Sequence, residues 1–222
     1  MYKKIILYFL FFFAIYNYYI FFDWYLSDED IIIEHAFYLS LKGSITMFVF
    51  ILLTHIFFYP KKNSDNAKVI SFPPIIWLFS INSAIFIGSL NRYYLQIYNL
   101  PDFLDIFRNW KIGLLVCFIA IIIISLALQE FNNNSEDPIP TTPSTMIIKN
   151  NMYKFTRNPM YLGLIILQIG IGMSLSYVHI ILFSMLTFII FRNYVIIPEE
   201  VYLEEKFENN YLDYKKNIRR WF

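Results

Sequence analysis

The chain has 222 residues, of which 58% are hydrophobic and 21% aromatic, against only 16% Asp, Glu, Lys and Arg. So little charge cannot cover a water-soluble domain of this length, and a net charge of +1 gives nucleic acid no electrostatic footprint. The lone cysteine, Cys117, lies inside an apolar run, so it forms no intrachain disulfide and reads as a small buried hydrophobe.

The apolar residues form long, nearly charge-free runs rather than periodic stripes, each of a length that crosses the hydrocarbon core as a helix. In chain order, spans are predicted at about 5–22, 37–59, 73–90, 112–128, 160–177 and 178–197. The first follows Lys3 and Lys4 with no small-residue cleavage motif after it, and reads as a retained helix rather than a secretory signal. The third opens at Pro73-Pro74 and contains Asn82, and the fourth is barely long enough. Lipid leaves unpaired backbone groups unsatisfied, and the runs are too long and evenly apolar for barrel strands. The expected fold is therefore all-α: a polytopic transmembrane bundle of five to six spans.

Basic residues then orient it. Lys3, Lys4, Lys61, Lys62, Lys68, Lys149, Lys154, Arg157, Lys215, Lys216, Arg219 and Arg220 share one side when the count of spans is even, which places both termini in the cytosol. The aromatic loop 91–111 falls on the other side, along the interface. Residues 129–158, with Asn132-Asn133-Asn134 and prolines 138, 140 and 143, read as an irregular loop dividing an N-terminal transmembrane part (1–128) from a C-terminal region (129–222).

Between the last two spans only Ser176 and Tyr177 are left to turn, so these spans must form an antiparallel hairpin. Gly163, Gly170, Gly172 and Ser174 supply small surfaces for close packing. The hairpin returns two clusters to one depth. Asn158-Pro159 is a helix-start pair, whose free N–H groups favour an anion, and Arg157 beside it suits two-point binding of a carboxylate or phosphate. The bland reading is an ordinary cap beside an interfacial arginine. Glu199-Glu200 ends the last span, where two carboxylates suit an ammonium or the hydroxyls of a sugar. The bland reading there is an acidic first helical turn. Beyond them Leu203, Phe207, Tyr211, Tyr214, Ile218 and Trp221 recur at steps of three or four, predicting an interfacial amphipathic tail helix. His35, His55 and His179 are isolated, so no metal site is expected, and no glycine-rich phosphate loop or Rossmann fingerprint is found.

From about Pro138 onward the chain resembles the integral membrane methyltransferases that include isoprenylcysteine carboxyl methyltransferase and the phospholipid methyltransferases. The resemblance is carried by Tyr153, then Arg157-Asn158-Pro159-Met160-Tyr161-Leu162-Gly163, the short hairpin, Glu199-Glu200, Tyr211-Leu212-Asp213-Tyr214 and Arg219-Arg220-Trp221. It implies S-adenosylmethionine as cofactor, lined by Tyr153, Asn158, Pro159, Met160, Tyr161 and Glu199, with the stretch Thr145, Met146, Ile147 and Ile148 bordering it. It further implies Arg157 and Glu200 as motif residues of the catalytic site, and a lipophilic acceptor, an isoprenylcysteine-like carboxylate or a phospholipid amine, drawn from the membrane lipids. Three positions depart from the pattern: Asn151-Met152 stands where Gly-Pro or Gly-x often precedes the tyrosine, Phe207-Glu208 where a Phe-Gly step is common, and Val195 where the prenylcysteine enzymes carry arginine. Arg192, one turn earlier, is the candidate substitute on the substrate side. Two rival classes stay open: an NADPH-dependent membrane sterol or steroid reductase, and a non-catalytic membrane protein or transporter.

Overall fold

In the computed structural model the described residues are 9, 12, 13, 15, 16, 19, 20, 33–58, 65–95, 102–140 and 142–221. Most of the first expected span, 5–22, therefore lies outside them.

Every regular element among the described residues is helical. We number them α1 (Ile33–Phe58), α2 (Pro73–Tyr93), α3 (Trp110–Asn133), α4 (Pro159–Ser174), α5 (Val178–Phe191), α6 (Ile197–Phe207) and α7 (Asn209–Asn217). Single 3-10 turns cover Asp102–Phe107 and Asn151–Lys154. Among the described residues four helical stretches are long and apolar enough to cross a membrane: Glu34–Phe57, Pro73–Tyr93, Trp110–Asn133 and Val178–Phe207; α4 is shorter. Leu114, Leu115, Phe118, Ile121 and Ile122 on α3 and Leu182, Met185, Leu186 and Ile189 on α5 are exposed. Such apolar faces are lipid-facing surface in an integral membrane protein.

Local sequence explains the boundaries. Pro73 and Pro159 each sit in a first helical turn, where their missing N–H costs nothing. Asn109 caps α3 by accepting the Ile112 N–H. That helix runs past the expected end at 128, because Glu130 and Asn134 close it with a side-chain pair and Ser135 then turns left-handed (φ 54°). The expected hairpin turn is present: Ser176 adopts φ 53°, and the Tyr177 N–H donates to Gly172 O at 2.8 Å.

The predicted small residues do pack closely, and mostly against α3. A Cβ on Gly170 would meet the Cys117 backbone N at 2.7 Å, and one on Gly163 would meet Ile124 Cγ1 at 2.5 Å. Only Gly172 faces α5, at Ile181. A buried polar knot joins three helices: the Thr187 hydroxyl bridges Ser80 (2.7 Å) and Gln168 Oε1 (2.8 Å), and Gln168 Nε2 donates to Ile180 O (3.1 Å). These groups satisfy one another inside the bundle, where an unpaired polar group is costly.

Between α5 and α6 the backbone makes a π turn over Arg192–Ile196, closed by the Ile197 N–H on Arg192 O. Pro198 has no N–H to offer Tyr194 O, and that oxygen instead accepts the Ile70 N–H at 3.0 Å. A proline inside a helix thus docks a segment from the other half of the chain.

The tail is two helices rather than one. It breaks at Glu208, with φ 45° and ψ −122°, a conformation that favours glycine. Glu208→Gly is expected to raise stability by about 1 kcal/mol, read as a Tm higher by a few degrees in detergent. A lower Tm would mean that the turn is not strained.

Candidate functional site

Residues 153–158 are sewn to the end of the chain. The Tyr214 hydroxyl donates to Tyr153 O (2.7 Å), the Thr156 hydroxyl to Arg220 O (2.9 Å), and the Arg157 N–H to Arg219 O (3.0 Å). Asn158 is the N-cap residue of α4, yet its side chain makes no capping bond; its Nδ2 donates to Arg220 O at 3.1 Å.

The adjacent carboxylates on α6 diverge, as neighbours on a helix must. Glu200 is 4% exposed and carries two guanidinium groups. Arg157 donates to its Oε1 through Nε (3.2 Å) and Nη2 (2.8 Å), and Arg220 Nη2 donates to its Oε2 at 2.6 Å. Arg157 Nη1 also donates to the carbonyls of Lys215 and Ile218. Its whole fork is therefore engaged within the chain, not held out toward a ligand. Glu199 is half-buried and turns the other way, accepting the Tyr161 O–H at 2.5 Å. Among the described residues Glu199 has no ion-pair partner.

Glu199 faces a cleft shared by the start of α4 (Asn158, Met160, Tyr161), residues 146–148, Tyr153, α6 and α7. Among the described residues, four carboxylates line it (Glu136, Asp137, Glu199 and Glu200) against one guanidinium, that of Arg157. Burial pushes the Tyr153, Tyr211 and Tyr214 hydroxyls above the usual tyrosine range, so all three stay protonated.

Of the residues singled out from sequence, Met146, Ile147, Ile148, Tyr153, Arg157, Asn158, Met160, Tyr161, Glu199 and Glu200 come together here. Thr145 does not line the cleft; its N–H and hydroxyl are bound to the Glu136 carboxylate. Pro159 is buried behind it as the first residue of α4. Arg192 is exposed on the π turn and donates to Asn193 Oδ1, away from the cleft. The extra residue of the π turn shifts the helical phase between Arg192 and Glu199. Val195 is fully buried among Ala67, Tyr161, Ile165 and Phe191.

Sequence reasoning missed Ala67, Phe131, Glu136, Asp137, Ser144 and Tyr202, all of which line the cleft. Glu136 and Asp137 carried a signal: acidic residues just after a helix, with Thr and Ser a few positions on, staple loops. Ala67 carried none.

Residues 109–210 match the family described as phospholipid methyltransferase. The chain belongs to this family of membrane methyltransferases. It is also 35% identical over 66 residues to an uncharacterized protein of Haemophilus influenzae, an overlap of 28% of this chain and 98% of that relative. The match of this methyltransferase chain to its family begins at the cap of α3, so α3 goes with the hairpin that packs on it. Helices α1 and α2 and residues 65–71 lie outside the match.

Proposed function

We propose that this cleft binds S-adenosylmethionine and that the protein transfers its methyl group to a lipophilic acceptor in the membrane. Charge carries the reading. The ligand has an ammonium and a sulfonium against one carboxylate, and the cleft sets four carboxylates against one guanidinium that Glu200 already neutralises. Glu199, with one oxygen on Tyr161, is the group placed to take the ammonium or the ribose hydroxyls. The start of α4, where Asn158 leaves the first turn uncapped by its side chain, suits the carboxylate.

Bound there, the cofactor supplies an electrophilic methyl carbon on a sulfonium. The residues of this chain align the acceptor with it and exclude water. Arg157 and Glu200 act by position, holding the tail over the site, rather than by touching the reacting atoms. Buried Val195 favours an acceptor that needs no cationic partner, which argues for an amine over a prenylcysteine carboxylate. The basic clusters favour a cytosolic rim and cytosolic termini in this reading.

NADPH is the ligand to exclude. Its phosphates require cations, and the one guanidinium lining the cleft is occupied. Calorimetry on detergent-purified protein is expected to show binding of S-adenosylhomocysteine and none of NADPH; the reverse would sink the proposal. Transfer of labelled methyl into a lipid extract would then identify the acceptor.

A further inference from the structure

Residues 65–71 lie outside the family match, yet they complete the cleft. Ala67 lines it, and Val69 is buried in the apolar cluster of Tyr161, Phe191, Val195 and Ile196. The segment is pinned by the Ile70 N–H on Tyr194 O and by the Thr54–Ser71 hydroxyl pair at 2.7 Å. Across the cleft, loop 136–148 is folded on itself: Glu136 holds Thr145, and Asp137 accepts the Ile139 N–H and the Thr142 hydroxyl.

One phenol joins the two. A tyrosine hydroxyl has a single proton to give and two lone pairs, and Tyr202 uses all three. Its oxygen accepts the Ser144 N–H (3.1 Å) and Lys206 Nζ (3.1 Å), and its O–H donates to Asp65 Oδ1 (3.2 Å). Lys206 and Asp65 close the ring as an ion pair. With this latch shut, the cleft offers a volume of about 120 Å³. A pocket that buries a drug-sized ligand needs roughly 300 Å³ or more.

We propose that Tyr202 is a positioning residue for the cleft's ligand, latching loop 136–148 to residues 65–71, and that this latch parts whenever ligand is admitted or released. The proposal rests on the cofactor reading above for its ligand, but the latch has a readout of its own. Only the bonds of Tyr202 to Ser144 and Asp65 need break, because buried Ala67, Val69 and Ser71 keep residues 65–71 anchored to the helical bundle. The part of the chain outside the family match thereby sets how long the cofactor stays.

The test uses the full chain in detergent, with S-adenosylhomocysteine as probe. Tyr202→Phe removes all three bonds and keeps the ring. Dissociation followed by stopped flow is expected to speed up about tenfold. KM for S-adenosylmethionine should rise while kcat stays within about twofold, a split that general destabilisation does not give. Without any ligand, amide exchange in peptides covering 142–148 and 65–71 should rise together in this variant and stay unchanged in α3. Asp65→Ala, a surface change, should move both readouts in the same direction and serves if Tyr202→Phe does not fold. A folded variant with wild-type dissociation and wild-type exchange overturns the latch. If the exchange rises but the wild-type protein binds no S-adenosylhomocysteine, the cofactor reading fails and the latch stands.

Discussion

Glu200→Ala is expected to destabilise the protein by about 3–5 kcal/mol, the cost of leaving buried charge uncompensated. The side chain of Arg157 is 7% exposed and that of Glu200 5%, so neither is solvated enough for water to replace the lost partner. Arg157 would keep its bonds to the carbonyls of Lys215 and Ile218 but lose its counter-charge, and Arg220 would lose its carboxylate altogether. The tail should then loosen from α6, to which Arg220 ties it through Glu200, exposing Tyr211 and Tyr214 to protease before the bundle unfolds. Glu200→Gln, which keeps the shape and can still accept, should lose less. Unfolding in mixed micelles with limited proteolysis of the C-terminal region measures both. An alanine variant with wild-type unfolding and an intact tail would mean that the Arg157–Glu200–Arg220 triad holds nothing.

This triad also shows where the sequence was readable and where it was not. Runs of apolar residues forecast α1, α2, α3 and the α4–α5 hairpin, because each is a one-dimensional signal matched to bilayer thickness. Asn158-Pro159 and Glu199-Glu200 were expected to meet, and the turn at Ser176 does bring them together across about forty residues. What the sequence concealed was the direction of each side chain. Arg157 reads as an anion clamp and Glu200 as a ligand group, yet they bind each other, while Glu199 one residue earlier turns to the Tyr161 hydroxyl. The contribution of Ala67 was illegible for a different reason. Its place depends on Tyr194 O being left open by Pro198, a backbone vacancy more than a hundred residues away that no local pattern encodes.

The second large effect concerns ligand rather than stability. Glu199→Gln is expected to weaken S-adenosylhomocysteine binding by about 10- to 100-fold, since a hydrogen bond to a charged group contributes about 1.5–3 kcal/mol. Glutamine keeps the volume and can still accept the Tyr161 O–H, so the fold should be untouched; what disappears is the negative charge this side chain can present to a bound ammonium. Tyr161→Phe probes the other end of that bond. It should weaken binding only a few-fold, because the phenol orients the carboxylate without supplying charge. The two effects should not add, since both act through one carboxylate. Calorimetry on the two single variants and the double variant measures this directly. A Glu199→Gln protein that binds within twofold of wild type, while unfolding at the same temperature, would remove this carboxylate from the site. Arg157→Ala gives the opposite pattern and completes the comparison. Its fork is bound to Glu200 and the tail, so stability should fall first and binding only as a consequence. Glu199 should therefore separate from its neighbour by experiment as it does in geometry: Glu200 is expected to hold the structure, and Glu199 to meet the proposed ligand.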